Sequence, residues 1–276
     1  NILIYLKRNF GKSLNLLEDI FGTMMLKTRI IPCLLLKGHS LVKSIKFDNF
    51  RTVGNSIQSA RLFNAQRVDE LVVLDINASR QNYPPNYKVM AHIAEECYMP
   101  ICLGGGIRTL EHIGQLLRVG ADKVMINSGG YDDPDFISKA AKEFGSQCIV
   151  AGIDCKSNDE GSYTVFTHGG SVSTGLGPVE WANKIVNLGA GEIFLYSIDK
   201  DGTMEGYDLD LISTVTRNVD VPVIACGGVG SHDHLVEGVM EGGASAVAAS
   251  SIFYFTEISP ISAKEYMKKS GINVRI

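Results

Sequence analysis

No two of the six cysteines form a Cys-x-x-Cys pair. Cys33, Cys97, Cys102, Cys148, Cys155 and Cys226 are scattered singly, which speaks against a zinc site and against a disulfide framework. Four of them sit inside apolar runs and read as small buried hydrophobes in a reducing cytosol, so a cytoplasmic protein without metal or cofactor is expected. No apolar run approaches the ~18 residues of a membrane-spanning helix. Basic residues are not in excess: the formal net charge is −4, and nothing resembles the basic stripe of a nucleic-acid binder. A Pro/Ser-rich linker is also missing, so the chain reads as one large domain.

The sequence opens on Asn1. An apolar stretch at residues 2–6 is followed at once by Lys7, Arg8 and Lys12 with no small-residue cleavage site, so it is not read as a signal peptide. Met24 or Met25 is a candidate first residue of the fold. Residues 1–24 are therefore expected to be an extension, with the domain over 25–276.

Within that domain, short β-branched runs alternate with amphipathic segments. Strands are predicted at 29–35, 70–75, 100–103, 123–127, 147–153, 192–197, 222–225 and 245–249. Helices are predicted at 56–67, 87–97, 109–119, 133–144, 178–188, 209–218, 232–241 and 261–269. Eight strands alternating with eight helices indicate an α/β fold with a parallel sheet. The chain also repeats itself. Pro100-Ile101-Cys102-Leu103-Gly104-Gly105-Gly106 resembles Pro222-Val223-Ile224-Ala225-Cys226-Gly227-Gly228, and Gly120-Ala121-Asp122-Lys123-Val124 resembles Gly243-Ala244-Ser245-Ala246-Val247. Two halves of four βα units predict a (β/α)8 TIM barrel built from two half-barrels, with a doubly wound open sheet as the alternative.

In such a barrel, ligands bind where strands end at their C-termini. Glycines fall there: Gly105 and Gly106 after the third strand, Gly227 and Gly228 after the seventh. A glycine loop lets backbone N–H groups approach a phosphate closely. The fourth and eighth strands end in Asn127-Ser128 and Ser250-Ser251, side chains suited to phosphate oxygens. Repetition in both halves predicts two grips and a phosphorylated small-molecule ligand with two phosphates; tight βα turns without a ligand are the plainer reading. The loop Asp199-Lys200-Asp201-Gly202-Thr203 adds Gly202 and Thr203 to the second grip, and Asp201 for a ligand hydroxyl, unless it is a surface turn. Lys37 and Lys43 are placed to reach a phosphate from a mobile loop, or are ordinary surface lysines.

Carboxylates that end apolar strands are costly unless they are paired or put to use. Asp154 closes the fifth strand and Asp75 the second, and both are candidate catalytic residues. The counterpart of Asp154 in the first half is Leu35, which cannot transfer a proton. Chemistry that needs an acid pair on the first and fifth strands is therefore crippled here.

The motifs Arg29-Ile30-Ile31-Pro32-Cys33-Leu34, Leu74-Asp75-Ile76, Gly104-Gly105-Gly106-Ile107-Arg108, Ile126-Asn127-Ser128, Phe166-Thr167-His168-Gly169-Gly170, Asp199-Lys200-Asp201-Gly202-Thr203 and Ala225-Cys226-Gly227-Gly228-Val229-Gly230 resemble the cyclase subunit of imidazole glycerol phosphate synthase, the HisF family, from about Leu26 to Arg275. The resemblance implies a lyase-type synthase subunit of a glutamine amidotransferase complex. A glutaminase docks on the N-terminal face of the barrel, and ammonia passes along the axis to a bisphosphorylated ligand. It also implies a gate of four charged residues, which fall on Arg29, Glu70, Lys123 and Glu192; solvated charges at strand starts are the duller reading. The family's acid and base fall on Leu35 and Asp154. The stretch Pro32-Cys33-Leu34-Leu35-Leu36-Lys37-Gly38 is similar to a diverged branch tied to amidino modification of surface-polysaccharide sugars, in which ammonia passes to a separate sugar-modifying enzyme. A working histidine-biosynthesis cyclase and another phosphate-binding isomerase or aldolase barrel are the alternatives.

Overall fold

The computed structural model describes residues 27–158 and 160–276. The expected N-terminal extension lies outside the described residues.

Eight parallel strands close on themselves: β1 (Arg29–Lys37), β4 (Leu71–Asp75), β5 (Ile101–Gly104), β6 (Lys123–Ile126), β7 (Ile149–Ser157), β10 (Glu192–Ser197), β11 (Val223–Cys226) and β12 (Ala246–Ala249). Closure is made where β12 pairs with β1 and β7 with β10. The chain is a (β/α)8 barrel, as the alternation predicts. The surrounding helices are α1 (Ser56–Ala65), α3 (Tyr87–Ala94), α4 (Leu110–Arg118), α6 (Pro134–Phe144), α7 (Pro178–Asn187), α8 (Leu209–Thr216), α9 (His232–Met240) and α11 (Pro260–Lys269). Their starts carry local signals. Asn55, Thr109, Ser231 and Ser259 accept first-turn N–H groups, and Pro134, Pro178 and Pro260 open helices.

Two hairpins interrupt the alternation, and the sequence reading contains neither. β2 (Ser40–Ile45) and β3 (Asp48–Gly54) follow β1; β8 (Tyr163–Thr167) and β9 (Val172–Ser173) follow β7. β2 runs antiparallel to the end of β1, with Leu35 opposite Val42, and β8 does the same on β7, with Asp154 opposite Phe166. The hairpins thus occupy equivalent places in the two half-barrels. So do two of the three one-turn helices, α2 (Ala78–Gln81), α5 (Ser128–Asp132) and α10 (Ile252–Phe255): α5 follows the fourth barrel strand and α10 the eighth. The hairpins also lengthen β1 and β7 beyond their predicted ends at 35 and 153.

Both faces of the barrel strands are buried, so they lack a clean polar alternation. One face packs under the helices, through Leu34, Leu36, Leu71, Val73 and Leu103. The other fills the barrel, through Ile31, Cys33, Leu35, Val72, Cys102, Met125, Val150, Phe194, Ile224 and Ala248. All six cysteines are unpaired, and four are buried.

The last helix locks the barrel's base. Lys264 on α11 is buried and bonds Asp69 Oδ1 at 2.7 Å and the Arg67 carbonyl at 2.8 Å; Asp69 Oδ2 accepts the Ile30 N–H at 2.9 Å. Removing the ammonium strands a buried carboxylate, which typically costs about 3–5 kcal/mol. Lys264→Ala is therefore expected to lower unfolding stability by roughly 3 kcal/mol, read as a fall in urea midpoint at unchanged slope.

Candidate functional site

The C-terminal mouth of the barrel holds two adjoining cavities that share Tyr196. The first is lined by Gly105, Gly106, Asn127, Ser128, Asp75 and Asp154, every residue assigned by sequence to the first grip and to acid–base work. The second is lined by Asp201, Gly202, Gly227, Gly228, Ser250 and Ser251. The two glycine loops are built alike. Gly105 has φ +102°, and a Cβ there would stand 2.2 Å from the Asp75 carbonyl oxygen. Its counterpart Gly227 has φ +104°, and a Cβ there would stand 2.7 Å from the Ser197 carbonyl oxygen, at the end of the equivalent strand. Only glycine fits either place, so both loops lie pressed against a neighbouring backbone.

Two residues of the second grip are placed differently from expectation. Thr203 does not line the cavity; its hydroxyl donates to the Lys200 carbonyl at 2.9 Å. Lys43 is not on a mobile loop. It lies in β2, buried, with its ammonium bonded to the Ser250 hydroxyl and, at 3.2 Å, to the Cys33 carbonyl, over the Tyr254 ring. Burial pulls its pKa down to about 8. Its hydrogen-bond partners are neutral, and the carboxylate whose field acts on it is Asp201. Asp201 is held by three donors: Tyr196 Oη at 2.7 Å, Ser44 Oγ at 2.7 Å and the Phe47 N–H at 3.0 Å. It anchors the β2–β3 hairpin to the loop after β10, and its assigned contact with a ligand hydroxyl competes with these three donors.

Asp154 stands at the cavity wall with Asn127 Nδ2 donating to it at 2.9 Å. Burial pushes its pKa up to about 7, against the lowering effect of that bond. Leu35, 4% exposed, lines the same cavity, so the apolar side chain stands where the symmetry of the half-barrels would put a second acid. Asp75 is buried, and burial raises its pKa too. Its Oδ1 accepts the Asn77 N–H and the Tyr83 hydroxyl, each at 3.2 Å, while its Oδ2 is buried with no hydrogen-bond partner. Phe47 and Phe50, from the hairpin missed in sequence, complete an apolar wall with Leu74 and Ile76.

At the opposite end, the four strand-start charges form a closed ring. Arg29 bonds Glu70 at 2.5 Å and also Glu192; Lys123 bonds Glu70 at 2.9 Å and Glu192 at 2.8 Å. Burial opposes the charge on Lys123, but the two carboxylates outweigh it and hold its pKa above the ordinary lysine value. Glu70 uses one oxygen for both cations and keeps Oε1 buried without a partner. These are ion pairs among one another, not a rim of solvated charges.

Among the described residues no helix is long and apolar enough to cross a membrane. A closed barrel with matched glycine loops at one mouth and a charged ring at the other end defines a (β/α)8 barrel of half-barrel construction. The family model described as histidine biosynthesis protein matches residues 29–259, and the chain belongs to that family.

The raised pKa of Asp154 has a consequence for stability. The folded chain holds this proton more tightly than the unfolded chain, so the stabilisation is present below the ordinary value of 3.8 and is lost as pH rises towards about 7. Asp154→Asn removes that loss. Discounted for the half-buried position, the variant is expected to gain about 1–2 kcal/mol over the parent between pH 4 and pH 8, measured by denaturant unfolding at both.

Proposed function

We propose that the chain is the synthase-type subunit of a glutamine amidotransferase pair of the HisF type, in the branch that serves amidino modification of a surface-polysaccharide sugar. In this reading a glutaminase subunit docks on the N-terminal face of the barrel. Ammonia enters through the ring of Arg29, Glu70, Lys123 and Glu192 and travels the apolar interior. It reaches a mouth that holds a two-phosphate ligand between the glycine loops, and passes on to a separate sugar-modifying enzyme. The observation that carries the reading is Leu35 at the mouth of a barrel whose base keeps a closed charged ring. The delivery apparatus is whole, while the acid–base pair for ring closure at the mouth has lost one member. An apolar interior suits neutral ammonia, since burying an unpaired ammonium is far more costly.

A histidine-pathway cyclase is the second reading, and Asp75 favours it: a carboxyl with a raised pKa on the same cavity is the one group there able to stand in for the missing acid.

The two readings part on the cyclisation step. A positioned general acid or base contributes about 10²–10⁴-fold. With saturating ammonium and the histidine-pathway bisphosphate, the parent is expected to form the aminoimidazole carboxamide product slower than an ordinary cyclase by about that factor. Leu35→Asp is expected to recover part of it. Turnover by the parent near the ordinary rate would return the chain to histidine biosynthesis.

The ring is tested separately. Lys123→Glu sets three carboxylates around Arg29, and this crowding of like charge opens or distorts the ring. Glutamine-dependent transfer in the reconstituted pair is expected to change while docking of the glutaminase survives. An unaltered transfer rate would reduce the ring to a structural ion-pair cluster.

A further inference from the structure

Outside both glycine loops, a cleft lies between the turns of the two inserted hairpins. It is lined by Lys46, Arg80, Lys156 and His168, with Asp48 as its one carboxylate. In a chain of net charge −4, this concentrates positive charge in one concave place, and such a place focuses the field on an incoming anion.

The cleft is built rather than incidental. Lys46 sits in the β2–β3 turn, and that turn is fixed: the Lys46 N–H bonds the Asp201 carbonyl at 3.0 Å and the Phe47 N–H bonds Asp201 Oδ2 at 3.0 Å. Arg80 crosses between the hairpins, its Nη2 donating to the Phe47 carbonyl at 3.3 Å and to the Gly169 carbonyl. A Cβ on Gly169 would stand 2.6 Å from Arg80 Nε, so the absence of a side chain there is what lets the guanidinium lie in. Lys156 stands over the Phe166 ring at 4.8 Å with its ammonium 3.4 Å from the Gly170 carbonyl. His168 is held through its N–H on Ser128 Oγ at 2.9 Å, with Nε2 3.6 Å from Asp132.

Lys46, Arg80 and Lys156 bring three cations to a cleft whose lining holds one carboxylate, Asp48, with Asp132 set beyond it against His168; the net positive charge that remains costs repulsion, which a dianion between the cations offsets. A guanidinium fork with flanking ammonium groups is the donor set that fits phosphate oxygens. The cleft shares Phe47, Arg80 and Gly169 with the first mouth cavity and shares no residue with either glycine loop. We propose that it is a third oxyanion site, which takes the phosphate group of a second small molecule working beside the mouth. The proposal does not rest on the amidotransferase reading, because it requires neither the ring nor ammonia.

The test is a titration of the isotopically labelled full chain with inorganic phosphate, followed through backbone amide resonances. Gly169, Gly170 and Ser171 report this cleft, while Gly105, Gly106, Gly227 and Gly228 report the two loops. Saturable shifts at Gly169 to Ser171 are expected. The double variant Lys46→Ala, Lys156→Ala is expected to weaken that isotherm about three- to tenfold and to leave the loop isotherms in place. Asp48→Asn, which removes the opposing charge, is expected to tighten it about twofold, an outcome that loss of folding cannot mimic. The proposal is overturned if these amides stay still, or move without saturating, while the loops fill. It is equally overturned if both variants titrate like the parent.

Discussion

Closure of eight parallel strands imposes one rule on this chain: every second residue of a strand faces the axis. Residues two apart therefore stand in a column that runs from the base of the barrel to its mouth. Lys123, Met125 and Asn127 share one column, and Arg29, Ile31, Cys33 and Leu35 share another. The charged ring, the apolar interior and the mouth are successive levels of the same columns. A one-residue slip in β1 or β6 would turn its ring residue, its packing residues and its mouth residue outward together. This coupling is why four charges far apart in sequence can meet as a closed ring, and why Leu35 and Asp154 meet at one cavity.

The electrostatics of the two ends differ for a physical reason. At the base, each cation faces two carboxylates, and mutual pairing offsets the cost of burial. At the mouth, burial prevails: Asp75, Asp154 and Asp201 are all held above their ordinary pKa values, and Lys43 below its own. Burial at this end thus weakens the charged form of each acid and of the lysine.

Much of this was legible in the sequence. The strand–helix alternation and the internal repeat announced a two-halved barrel, and the glycine and hydroxyl pairs at strand ends marked both mouth cavities. The four charges were named from the resemblance, and the lack of an acid at Leu35 from the internal repeat. What the sequence hid were the two hairpins. The turn between β2 and β3 is made by Lys46 and Phe47, both at positive φ, rather than by the Asn-Gly pair that signals a tight hairpin. Gly38 and Gly161 were the available cues, each at a turn that opens a hairpin. Without β2, Lys43 looked like a loop residue; with it, the same lysine is a buried cation beneath Ser250. Tyr196, Phe47 and Arg80 gained their places only through contacts between distant segments.

The equivalence of the half-barrels also bears on direction. A mouth with perfect twofold pseudo-symmetry would offer a ligand with similar ends two orientations of equal energy, and half of the bound molecules would point the wrong way. Here the degeneracy is lifted by what the halves do not share. Asp154 lies on one wall of the cavity and Leu35 on another, while the buried ammonium of Lys43 stands behind Ser250 only. An apolar Leu35 opposite Asp154 thus gives the cavity a head and a tail.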